Sequence, residues 1–327
     1  MDDGFVRDFG DPRGEIAATA HGDVVADLSH LGVLAITGAD AAAFLHGQLS
    51  CDVEGLPDGR ATYGCYCTPK GRVLANFLLW REPDGFRMLL PRSLSASVHK
   101  RLQKFVLRSK VMLTDGAADY VALGLSGHGA FDAATSVVAP ISHAELQVAR
   151  RDGITAITVP GPRALIVAPL REGPTLWERL TRTLKPVGAT CWGWLDIVNG
   201  LPWIGPSTQE EFVPQMANLE LIGAINFQKG CYPGQEIVAR TQYLGKPKRR
   251  LGLAHVRGDQ MPAEGEPLMS GSGDQSAGIV VNAAPAPEGG FDLLAVVQVA
   301  AVASSALHIA SQNGPVLEFR PLPYLVP

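Results

Sequence analysis

Residues 61–90 run ATYGCYC, TPKG, RVLANFLLW, a PDG turn and FRMLL, three apolar stretches joined by two tight-turn signals with no loop between them. A backbone that reverses twice in so short a span pairs with itself as antiparallel strands, because no residues are left over for a crossover. This hairpin sheet is the frame on which the rest is placed. Upstream, GVLAITG (32–38) is a further short strand, and Asp40 can cap the helix after it, whose Ala41, Phe44, Leu45 and Leu49 recur at the helical period. Downstream, SLSASVHKRLQKFVLRS (93–109) sets Val98, Leu102, Phe105 and Val106 against Lys100, Arg101, Lys104 and Arg108, a helix with a solvated basic face. KVMLTD, YVALGLSG, ITAITV and RALIVAP return as strands, giving mixed sheets with helices on one face to about residue 185.

After GKPKRR the pattern changes. Residues 251–327 alternate short apolar runs with the turns EGEP, SGSG and APAPEGG, show no convincing helix, and predict a separate small β-barrel or sandwich. The most apolar stretch, DLLAVVQVAAVASSALHIA (292–310), is interrupted by Asp292, Gln298 and His308 and reads as paired strands, not a membrane span. A chain of 327 residues is too long for one ordinary core and implies two or three domains. Its net charge of -4 gives no global pull toward nucleic acid or anionic membrane. The acidic MDDGFVRDFGDPRGE lacks the features of a signal or transit peptide, and five cysteines without CxxC spacing read as free thiols, so a cytoplasmic protein is expected.

No G-x-G-x-x-G after a strand, P-loop, H-E-x-x-H or G-x-S-x-G elbow is present, which removes support for dinucleotide, NTP, zinc-protease and lipase chemistry. Cys65 and Cys67 project to one face of a strand; packing is the preferred reading over a soft metal shared with Cys51. The chemically dense stretch is KGCYPGQE, 229–236. Pro233 and Gly234 suit a type II turn from Tyr232 to Gln235, and QEIVAR starts a helix. If 225–231 is extended, Lys229 and Cys231 share a side about 7 Å apart. A cation and a helix N-terminus then favour a reactive Cys231 thiolate. A small buried residue at a strand end is the alternative, and the chemistry alone leaves both open. Glu236 and Arg240 can pair along the helix or meet a ligand. Lys246, Lys248, Arg249 and Arg250 form a solvated junction or hold a polyanionic tail.

NFQKGCYPGQEIVART, with the upstream GLPWIG and FVPQMANLE, resembles the YgfZ family of folate-dependent iron–sulfur cluster proteins. ADLSHLGVLAITGADAAAFLHGQLSCDV, YGCYCTPKGRVLANFLLW and LQKFVLRSKV extend the likeness across residues 22–256. The resemblance implies an α+β fold, the three-domain ring of the glycine-cleavage T-protein superfamily. Two intertwined α+β domains (1–245) would form the folate-binding region, and a β-barrel would follow (246–327). It further implies tetrahydrofolate or a derivative in a central pocket, with Asn76, Lys229, Gln235, Glu236 and Arg240 as its binding residues and Cys231 as a functional thiol. The partners implied are iron–sulfur enzymes or cluster carriers, including those of tRNA modification, served by a monomer without direct nucleic-acid or membrane contact. Aminomethyl transfer, the superfamily's other function, is not expected. Where T-proteins carry an acidic pair this chain has Ala75 and Asn76, and DIVNG puts Val198 where their pterin-holding Glu stands. Two alternatives remain: a tetrahydrofolate-dependent aminomethyl or methyl transferase, and a folate-binding scaffold with a structural cysteine.

Overall fold

The two turns of 61–90 form as predicted. In the computed structural model, which describes residues 4–116, 118–245, 247–271, 276–304 and 306–327 with the side chains of 303 and 304 left aside, strands Ala61–Cys67, Val73–Glu82 and Gly85–Pro91 are consecutive neighbours. Leu31–Thr37 and Met112–Asp115 complete a five-stranded sheet in that order. Leu31 stands opposite Pro91 and Thr37 opposite Gly85, so the strand before the hairpins closes on their last arm.

A second, six-stranded sheet runs Lys185–Val187, Val24–Asp27, Tyr120–Ser126, Arg163–Pro169, Ile154–Val159, Val148–Arg151. Only its first pair is parallel. Leu123, Leu125 and Ile166 on this sheet pack with Ala130, Ala134 and Val137 of the helix Ala130–Val137 and with Leu176 and Leu180 of Gly173–Leu180. One sheet face is thereby taken out of water, the usual reason a strand–helix alternation collapses into layers. The basic helix is shorter than expected. It spans Arg92–Gln103 with Val98 and Leu102 buried, and beyond it Phe105 is 46% exposed and Leu107 takes φ 42°. The apolar period runs on past the point where there is core to receive it.

The third sheet carries the strands predicted after 251. Its order is Leu307–Ile309, Pro267–Ser270, Ser276–Pro285, Phe291–Gln298, Arg249–Val256, Leu317–Arg320, antiparallel throughout. His308 bridges Val316 beside the last strand, so the sheet curls until its ends meet around Ala254, Leu268, Val280, Leu293 and Ala295. The expectation that this region lacks helix is corrected: Val299–Ser304 is helical between two strands. Its alanines carry the highest helix propensity, and the Val299 N–H is taken by the Lys248 carbonyl. Lys246 and part of the SGSG turn lie outside the described residues.

Tertiary contacts divide the chain into two compact units. One takes the segment up to Leu45 with Val53–Thr62 and Phe77–Trp192; the other takes His46–Asp52, Tyr63–Asn76 and Gly193–Pro327, the curled sheet included. Among the described residues no helix is long and apolar enough to cross a membrane.

Candidate functional site

KGCYPGQE lies in the second unit, and local bonds dictate its shape. Asn226 Oδ1 accepts the N–H groups of Gln228 and Lys229 at 2.8 and 3.0 Å, an Asx turn that bends the chain at once. Residues 225–231 are therefore not extended, so the condition under which Lys229 and Cys231 would share a side is not met and strand alternation does not govern where they point. The Lys229 ammonium donates to the carbonyls of His46 and Leu49, the latter at 2.7 Å, and lies 5.1 Å from the centroid of the Tyr232 ring. It ties the loop to the segment 46–49.

The turn at Pro233–Gly234 forms as predicted. Gln235 N–H reaches the Tyr232 carbonyl at 3.2 Å, with Gly234 at φ 85°, ψ 0°, the third position of a type II turn. A Cβ at Gly234 would stand 2.4 Å from the Thr68 oxygen and 2.7 Å from Gly71 Cα, so only glycine fits. The TPKG turn of the hairpin sheet is thus pressed against the Pro-Gly turn. The helix Gln235–Leu244 starts directly afterwards and buries Val238.

Beneath the loop Tyr232 is buried together with Cys51, Cys65 and Cys67. Cys65 and Cys67 face one another at 3.6 Å, the shared face predicted for them. Burial pushes the Cys51 thiol up to about 12 although Lys229 opposes it. The contact with Cys65, then burial, holds Cys67 well above the ordinary thiol range, and burial lifts Tyr232 as well. In the first unit burial takes Cys191 up to about 11. Of the five cysteines only Cys231 is exposed.

The other expected site residues separate into two kinds. Asn76 is buried, its Nδ2 donating to the Pro202 carbonyl at 2.7 Å and its Oδ1 accepting Ile204 N–H at 2.8 Å, so both ends of the amide are used within the chain. Gln235 Nε2 donates to the Lys229 carbonyl at 3.3 Å. Glu236 and Arg240 are exposed and, among the described residues, do not pair with each other.

Three residues of HGQLSCDV carry no signal in the sequence, where the stretch stands out for the helical period of Leu49, for Cys51 and for the family likeness. His46 Nδ1 lies 3.2 Å from Asp52 Oδ1. Gln48 Oε1 is buried without a hydrogen-bond partner among the described residues. A soft metal shared by Cys51, Cys65 and Cys67 is not supported. Among the described residues the group spaced for an ion is His255, Glu288 and Asp292, beside a cleft of about 630 Å³ on the curled sheet. There the Arg320 guanidinium bonds both carboxylates and already supplies the positive charge.

The family described as the GCVT N-terminal domain matches residues 9–229. The tRNA-modifying protein YgfZ of Sodalis glossinidius (strain morsitans) is 30% identical over 298 residues, 90% of this chain and 90% of that protein. Its namesake from Yersinia enterocolitica is 30% identical over 296 residues, 89% of each. Among solved structures, the glycine cleavage system aminomethyltransferase T from Bartonella henselae matches with a TM-score of 0.77 at 18% identity, covering 95% of this chain and 89% of that one, a likeness of fold.

Proposed function

Because the chain belongs to the YgfZ family, with the GCVT N-terminal domain over most of its length, we propose that it binds a reduced folate and supports iron–sulfur cluster assembly or repair, with Cys231 as its working thiol. Through the cluster enzymes it would serve tRNA modification, the activity in the name its relatives carry. A net charge of -4 favours contact with enzymes or cluster carriers over direct contact with tRNA. Its setting would be the cytoplasm, as a monomer. The observation that carries the reading is the contrast among the cysteines: four are buried, and the fifth stands exposed on a loop fixed by the Asn226 turn, the Lys229 bonds and the glycine-only turn at 234. A thiol held still on a rigid loop suits repeated chemistry better than it suits packing.

The residues present fit a folate. Its aminopterin ring presents N–H donors and its glutamyl end presents carboxylates. The buried Gln48 Oε1 is an acceptor in need of a donor, and Arg240 is an exposed cation on the helix Gln235–Leu244 that follows the Cys231 loop. When bound, the ring supplies one-carbon or electron-transfer chemistry. Lys229 and Gln235 serve by holding the loop, since the Lys229 ammonium and the Gln235 Nε2 are bonded to carbonyls of the chain. Asn76 holds 202–204 in the same way.

Calorimetric titration with tetrahydrofolate tests the ligand. The chain should bind it, and Gln48→Leu should weaken binding about fivefold, the worth of roughly one hydrogen bond. No binding by the folded protein removes the folate half of the reading.

A further inference from the structure

His46, Asp52 and the loop of Cys231 come together in the second unit in an arrangement suited to moving a proton. The Asp52 carboxylate stands 3.2 Å from His46 Nδ1, the contact by which a carboxylate orients an imidazole and directs its other nitrogen outward. Nε2 in turn stands 3.5 Å from the point a Cβ would occupy on Gly230, the residue before Cys231. The imidazole edge therefore lies beside the residue whose peptide leads to the thiol. The imidazole is also fixed relative to the loop at two places. The Lys229 ammonium bonds the carbonyls of His46 and Leu49, and Ser50 accepts the Asn226 N–H at 2.9 Å. Ser50 Oγ extends this tie, donating to Ala224 at 2.7 Å and accepting Cys65 N–H at 2.8 Å.

We propose that His46, oriented by Asp52, is the base that takes the proton of Cys231; this rests on the reading of Cys231 as the working thiol. The S–H bond breaks, its electron pair stays on sulfur, and the proton passes to Nε2 directly or across one water. The imidazolium so formed faces the Asp52 carboxylate, and the thiolate is ready to attack an electrophile or bind a soft metal. Among the described residues the Asp52 carboxylate stands against the imidazole, and the Lys229 ammonium bonds the His46 carbonyl. Lys229 directs its charge to main-chain oxygens, and burial keeps Cys51 protonated at neutral pH. Asp52 is thus the charged group that the imidazole meets through Nδ1. The Cys–His–acid pattern is invisible in the sequence, where 185 positions separate His46 from Cys231.

The test is the rate at which iodoacetamide alkylates Cys231, read by mass spectrometry of its peptide from about pH 5.5 to about pH 9.5. In that reaction the sulfur–carbon bond forms, the carbon–iodine bond breaks and iodide leaves. A thiol of ordinary pKa near 8.5 is only about 3% thiolate at pH 7, so a competent base accelerates labelling there by up to about thirtyfold. His46→Gln should lose about tenfold or more at pH 7 and move the inflection of the profile up toward the ordinary thiol value. Asp52→Asn should give a smaller loss with a shifted inflection. His46→Gln keeps the main-chain carbonyl that receives Lys229, and a melting curve checks its fold. If that variant does not fold, Asp52→Asn, which leaves the imidazole in place, decides alone. A wild-type rate and profile in the folded His46→Gln protein, or in Asp52→Asn where that variant decides, overturns the proposal. Labelling needs neither folate nor cluster, so failure here is separate from failure of the functional reading, which complementation by Cys231→Ser addresses.

Discussion

Lys229→Met keeps the length and apolar stem of the side chain and removes only its charge. In the structure that charge has three partners, the carbonyls of His46 and Leu49 and the face of Tyr232. A hydrogen bond to a charged group contributes about 1.5 to 3 kcal/mol and a half-buried cation–π contact about 0.5 to 1. One ammonium serves all three, so the parts are not additive, and the loss is about 3 kcal/mol. The change should stay local, because the partners all lie on the segment 46–49 and the loop itself. Hydrogen exchange is the suitable assay, since a chain with two compact units has no single unfolding free energy. The amides of Lys229, Gln235 and Val238, bonded to Asn226, Tyr232 and Gly234, should exchange about 100-fold faster in the variant. Strands of the other unit, such as Arg163–Pro169, should keep their protection. Exchange within about threefold of the wild type at these three amides, with the protein folded, would show that the ammonium is solvated and the loop is held by other means.

Three further outcomes follow from the same geometry. Gly234→Ala puts a Cβ 2.4 Å from the Thr68 oxygen in a left-handed backbone, so it should cost about 3 kcal/mol, measured as a lowered melting temperature with loss of protection at Gln235 and Val238. Burial, opposed by Asp27, brings His30 from 6.5 down to about 4; the unfolded chain then binds more protons between those values, so stability present above pH 6.5 is lost as pH falls toward 4. That loss is about 3 kcal/mol, and His30→Gln should flatten the acid limb of the melting temperature against pH. Mixed with glycine-cleavage H-protein and tetrahydrofolate, the protein should release no ammonia above background, because Ala75 is a buried methyl and the Asn76 amide is spent on Pro202 and Ile204. Turnover in the ordinary enzyme range of about 1 to 1,000 per second would contradict this.

Features with a local cause were legible in the sequence. The hairpins of 61–90, the turn at Pro233–Gly234 and the helix after it each follow from residues within a few positions, and each forms. The helix written too far, to 109, and the unforeseen helix Val299–Ser304 mark the limit, since tertiary burial decides where a periodic or alanine-rich run stops. Lys229 shows the same limit at the site. Its alternation with Cys231 assumed an extended strand, and one side chain, Asn226, bends the chain instead. Its true partners, His46 and Leu49, lie 183 and 180 positions away, beyond any spacing rule. The His46–Asp52 pair is only six positions apart, and neither it nor the buried Gln48 Oε1 carries a spacing signal; only the fold shows that this segment lies beside the loop of Cys231.

Whether Cys231 works as a thiol in the service of cluster enzymes is decided in a cell lacking its own copy of the protein. Methylthiolated nucleosides in that cell's tRNA, made by iron–sulfur enzymes, are quantified by mass spectrometry with the wild-type chain or Cys231→Ser supplied. Cys231 is exposed and contributes no core volume, so the serine variant should fold, melt within a few degrees of the wild type and still bind folate. The wild-type chain should restore the modification and the folded serine variant should not. Full restoration by Cys231→Ser would contradict the account and make the cysteine a surface residue without a task.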